Sequence, residues 1–121
     1  MSGVEDLVQW LRAQLDEDER IARETAAEWG TAWAADHDSD TVDSAIEYVS
    51  VVGEPNSPIG FIAEWDPARV LREVDSKRRV IGAIEHLLVQ VDDPFAGVDD
   101  VLRLLALPYT DRPGYLDSWR P

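Results

Sequence analysis

Asp66-Pro67-Ala68-Arg69-Val70-Leu71-Arg72-Glu73-Val74-Asp75-Ser76-Lys77-Arg78-Arg79 is the stretch on which the fold turns. Aspartate is a preferred N-cap, and proline is preorganised for the first helical position, so a helix starts here. Val70, Val74, Ile81, Ile84, Leu88 and Val91 recur at helical spacing and predict its buried stripe. Arg69–Glu73, Glu73–Lys77 and Asp75–Arg79 are spaced to link its exposed side. Asp92-Asp93-Pro94 breaks it, because proline cannot donate to the helical ladder.

Upstream, Val4, Leu7, Val8, Leu11, Leu15, Ala22, Ala26 and Trp29 form a second helical stripe. They predict a long first helix over about residues 4–28, with Gly30 loosening or ending it. Trp10 and Ile21 lie on a flank of that stripe, where another element or a second subunit could pack, so a homodimer is possible. Residues from Trp33 to Asp40 fit no single element. Ile46 to Val52 alternates and is β-branched, which reads as a strand. Gly53 to Pro58 has turn composition, and Ile59 to Trp65 reads as the returning strand of a hairpin. Downstream, Val98 to Leu107 is a short third helix ended by Pro108. The tail to Pro121 keeps Tyr109, Tyr115, Leu116 and Trp119, aromatic and apolar enough to pack rather than fray. The expectation is one α+β domain over 1–121, mainly helical. Two long helices pack near-antiparallel, with a small β-hairpin between them in sequence, then a short third helix and an ordered tail.

Composition limits function more than it names one. The 121 residues carry 25 acids against 11 bases, a net charge of −14. Residues 1–65 hold 15 acids and 3 bases, and no base stands between Arg23 and Arg69. Such a field repels nucleic acid and anionic membrane and favours basic partners. There is no cysteine, so disulfides and thiolate metal sites are excluded, as suits a cytoplasmic protein. No apolar run approaches the length of a membrane span, and the charged N-terminus does not read as a signal peptide. Ten of the eleven bases are arginine, a bias typical of GC-rich bacterial or phage genomes.

The order of elements resembles a family of short actinobacterial and phage proteins catalogued only as a domain of unknown function. Asp6 to Glu19 is similar to its opening helix, Asp66 to Arg79 to its central helix, and Leu102 to Trp119 to its closing segment. Residues 30–60 show no clear match. In that family histidine is common where this chain has Phe61, and occurs where it has Trp65. The family's tail often reads His-Pro-Asp-Tyr where this chain has Arg112-Pro113-Gly114-Tyr115, and many members carry cysteines absent here. The resemblance implies no activity.

Asp36-His37-Asp38-Ser39-Asp40-Thr41-Val42-Asp43-Ser44-Ala45-Ile46-Glu47 is the sharpest local pattern. Asp36, Asp38, Asp40 and Glu47 fall at the oxygen-ligand positions of a calcium loop. Thr41 stands where the sharp turn wants glycine, and strand follows where a helix belongs, so an acidic exposed turn is the better reading. His37 and His86 have no nucleophile in a recognisable motif beside them, and nothing selects a catalytic carboxylate pair or a cofactor. Lys77-Arg78-Arg79 is the one basic run, but its three side chains point different ways on a helix, so direct nucleic-acid binding is not expected. The expected function is a non-catalytic interaction or regulatory protein that meets a basic protein surface. Trp10, Trp29 and Trp33 are its candidate anchors, and Asp36, Asp38, Asp40, Asp43 and Glu47 its candidate charges. Two alternatives are a nucleic-acid mimic that occupies a DNA-binding protein and a calcium-binding module.

Overall fold

A computed structural model describes residues 2–36, 38, 41–44, 48–50, 59–90 and 97–121. Helix α1 (Ser2–Trp29) leads into strands β1 (Trp33–Asp36), β2 (Thr41–Ser44) and β3 (Tyr48–Ser50). Helices α2 (Ile59–Glu64), α3 (Pro67–Gln90) and α4 (Val98–Ala106) follow. Two 3-10 turns, Leu107–Tyr109 and Asp117–Trp119, complete the tail. The protein is mainly helical α+β, as its sequence predicts. The residues cluster into two compact units, Met1–Glu17 with Asp75–Pro121, and Asp18–Val74.

The first unit is helical. Leu7, Val8, Leu11 and Leu15 of α1 are buried, as are Ile81 and Ile84 of α3 and Val98, Leu102 and Ala106 of α4. Each set follows the helical period, so three apolar stripes supply the core. Arg12 pairs with Glu85, and Asp16 with Arg78 at 2.7 Å. A later residue of α1 thus meets an earlier residue of α3, so the two helices run antiparallel here. The tail closes on the same core. The rings of Trp10, Tyr115 and Trp119 form a mutual cluster with centroids 5.4–5.8 Å apart, at edge-on and tilted angles that suit aromatic quadrupoles. Trp10 Nε1–H donates to the Pro113 carbonyl at 3.0 Å. Gly114 beside it has φ +89°, a left-handed conformation that side chains with a Cβ disfavour. Tyr109 is buried beneath two cations, Arg112 at 4.6 Å and Lys77 at 5.3 Å from its ring centroid. The ordered aromatic tail therefore packs on Trp10.

The second unit holds the sheet. α1 ends where Gly30, at φ +84°, donates its N–H to the Ala26 carbonyl at 2.8 Å. The strands then form an antiparallel meander in the order β1-β2-β3. Pairing sets Ala35 opposite Val42 and Asp36 opposite Thr41. One face of the meander presents Trp33, Ala35 and Val42 to a small core completed by Ile59, Ile62 and Ala63 of α2. Asp36 and Asp43 lie in the alternate pleat and face away from α2.

A small hairpin does lie between the long helices, but its residues differ from the expected ones. β1 comes from the stretch that fitted no element and β2 from the residues just after it, and β3 is the described part of the strand expected over 46–52. Residues 59–65 do not return as a strand; they form α2 and its end. Buried Ile59 and Ala63 and partly buried Ile62 have helical spacing. Phe61 and Trp65 obscured that period, because they are aromatic yet point outward. The turn expected over 53–58 lies outside the described residues.

Candidate protein-binding surface

The α2–α3 junction is built around Asp66. Its Oδ1 accepts the Arg69 N–H at 2.8 Å, the bond an N-cap makes to the third helical residue. Its Oδ2 accepts the Trp33 N–H at 3.0 Å, and the Ala68 N–H donates to the Thr31 carbonyl at 2.9 Å. One carboxylate thus caps α3 and ties its first turn to the start of β1. The Trp65 N–H closes α2 on the Phe61 and Ile62 carbonyls, both at 3.2 Å. This fixes the bend between the two helices.

Anchored in this way, the junction carries an aromatic and charged outer face. Phe61 is 65% exposed and Trp65 43%, with ring centroids 6.1 Å apart. The Arg69 guanidinium lies over the Trp65 ring at 4.1 Å. Arg69 also pairs with Glu64 at 2.8 Å and Glu73 at 3.6 Å. Glu64 keeps 63% of its side chain exposed. Two acids and an indole therefore surround one guanidinium, while the Phe61 ring beside them stands largely in solvent. Large aromatics on a rigid, capped junction are costly to leave wet and are typical of interface anchors.

The sequence-selected residues fare differently. Trp10 is half-buried in the tail cluster. Trp33 is half-buried against the sheet core, and its Nε1–H is shared between the Trp29 and Gly30 carbonyls at 3.1 and 3.0 Å. Trp29 is likewise half-buried. Asp36 and Asp43 share the sheet face turned away from α2, where Thr41 Oγ1 donates to Asp43 at 2.9 Å. Asp38 is exposed and donates its N–H to Asp36 Oδ1 at 3.0 Å. Asp40, Glu47 and His37 lie outside the described residues. Glu64 sits on α2, which packs on the opposite side of the sheet from Asp36 and Asp43. Among the described residues no group of three or more His, Cys, Asp or Glu is placed to hold a metal. Nor is any described helix long and apolar enough to cross a membrane. His86 is exposed on α3.

Phe61 and Trp65 do not stand out in the sequence, because residues 59–65 have the apolar composition of a strand. The available signal was two aromatics four residues apart, off the Ile59/Ile62/Ala63 stripe.

The chain matches the model of the Family of unknown function (DUF6221) over residues 4–121. It belongs to that family. The DUF6221 match takes in residues 6–19, 66–79 and 102–119, and it also spans the middle, residues 30–60, that showed no clear resemblance. No curated protein and no solved structure matches it.

Proposed function

We infer that this DUF6221 protein is a non-catalytic, cytoplasmic binding protein whose sheet-bearing unit engages a cationic surface on another protein. The observation that carries this reading is the charge of residues 18–74, which hold 13 acids and 4 bases, net −9. Three of those bases are already paired within the unit: Arg20 with Glu24, Arg23 with Glu19, and Arg69 with Glu64 and Glu73. The remaining negative charge is spread over exposed and half-exposed side chains such as Glu28, Asp36, Asp38 and Asp43. Opposite charge on a partner would speed encounter and fix its orientation, while the folded scaffold keeps the acids in place. Nucleic acid and anionic lipid carry the wrong sign for this surface.

Calorimetric titration tests the reading, with oligo-lysine, oligo-glutamate and a short DNA duplex as ligands. Oligo-lysine alone should bind, and its affinity should fall steeply between about 0.05 M and about 0.3 M salt as charges are screened. Binding of the duplex, or affinity for oligo-lysine that ignores salt, would overturn it.

A further inference from the structure

We propose that the outer edge of β1 docks the partner by strand addition, and that the added segment is extended with a basic residue at every second position. The inference rests on the cationic-partner reading above and names the conformation the partner must take. β1 stands at one end of the order β1-β2-β3, so one of its long sides faces β2 and the other pairs with no strand. A residue in an antiparallel ladder sends its N–H and C=O to the same side, and the side alternates along the strand. The Trp33 N–H goes to Asp66 Oδ2 at 3.0 Å, and the Thr31 carbonyl accepts the Ala68 N–H at 2.9 Å, so Trp33 turns its polar groups outward. The register with β2 is regular, so Ala35 does the same. The start of α3 therefore occupies this edge as far as the Trp33 N–H. Next along it come the Trp33 carbonyl and the Ala35 N–H and carbonyl, and among the described residues these groups have no partner.

Unpaired backbone groups on a strand edge are a template for another backbone. β1 reads Trp33-Ala34-Ala35-Asp36 and has neither the lysine nor the proline that commonly guards an edge. The pleat then sets the side chains the added strand should carry. On the face turned away from α2 they would lie beside Ala34 and Asp36, with Asp43 on the next strand and exposed Asp38 just past the end of β1. Basic side chains fit there, and an acid would be repelled. On the other face they would extend the row of Trp33 and Ala35, which packs on α2 and suits apolar side chains. Alternating basic and apolar residues are therefore the matching pattern. The opposite edge strand, Tyr48-Val49-Ser50, carries no acid. A second copy of this chain would bring its own Asp36 and a like net charge of −9 over residues 18–74.

The test titrates an octapeptide of alternating lysine and valine into the wild type and into Ala35→Pro. The same octapeptide with every backbone nitrogen methylated is a control of equal charge, and sedimentation of both proteins is run alongside. Proline is tolerated on an edge strand where the N–H faces outward, so the variant should keep the wild-type circular dichroism and melting profile while losing the edge donor. Wild type should bind the octapeptide about fivefold or more tightly than its methylated form, and the variant should bind the two alike. Exchange of the Ala35 amide proton with solvent should slow in the wild type when the octapeptide is bound, and not with the methylated form. If the wild type binds both forms alike, if Ala35→Pro keeps the preference, or if the Ala35 amide stays unprotected, the edge is wrong while the cationic-partner reading stands. If neither form binds the wild type, both readings fall. If the wild type is a dimer that Ala35→Pro dissociates, the edge is a self-interface and the proposal is overturned. Should Ala35→Pro misfold, the amide exchange of the wild type decides alone.

Discussion

Gly114→Ala is a severe substitution at an exposed position, and its cost separates into two parts. The first is backbone strain: an alanine held at φ +89° costs about 1–2 kcal/mol relative to glycine. The second is a collision, because a Cβ at this position falls 2.8 Å from Trp10 Nε1 and 3.2 Å from Trp10 Cδ1. The indole cannot swing away freely, since it is held by the rings of Tyr115 and Trp119 and by its bond to Pro113. Moving it forfeits one hydrogen bond, about 1 kcal/mol, and part of the aromatic packing, about 0.5–1.5 kcal/mol. The total is about 3–4 kcal/mol. For a chain of this size that lowers the melting temperature by about 12–16 °C. Thermal unfolding followed by near-ultraviolet circular dichroism, where the tryptophans report directly, is the assay. The decisive comparison is the same substitution in a Trp10→Ala background. There the collision is gone and only the strain of about 1–2 kcal/mol should remain. Melting of the single variant within about 2 °C of wild type, or an unchanged cost in the Trp10→Ala background, would refute the tail packing described here.

Asp66→Ala removes the cap of α3 and the acceptor of the Trp33 N–H together, and should destabilise by about 2–3 kcal/mol in chemical denaturation, with Asp66→Asn recovering a good part. Leu102 is 0% exposed at the centre of the helical core, so Leu102→Ala should cost about 2–5 kcal/mol by the same assay. Arg12→Ala should cost no more than about 1 kcal/mol, because Arg12 and Glu85 keep 42% and 45% of their side chains exposed and solvent screens the pair. A larger loss in high salt than in low salt would contradict that account.

The helices were legible because each carries its own instructions. The expected span of about 4–28 became Ser2–Trp29, closed at Gly30 as its composition implied. Asp66-Pro67 started α3 at the residue named, with the capping bond in place. The third helix, expected over Val98 to Leu107, forms as Val98–Ala106 ahead of Pro108. The sheet was less legible. Strands of three and four residues are too short to show a period, and their stability comes from α2, which the sequence alone did not reveal. The outward aromatics of α2 were hidden for a related reason. Exposed aromatics break the amphipathic pattern that marks a helix, so the exposure of Phe61 and Trp65 disguised the element that bears them. The indole N–H groups of Trp10 and Trp33 donate to the Pro113 carbonyl and to the Trp29 and Gly30 carbonyls, partners far or near in sequence that residue type alone does not name.

Residue-by-residue NMR of isotope-labelled protein during addition of oligo-arginine tests the central claim most directly. Shifts should gather within residues 18–74, with Glu28, Asp36, Asp38 and Asp43 among the largest, and should fade as salt is added. Shifts confined to the aromatic tail or to α4, or none at saturating peptide, would contradict it.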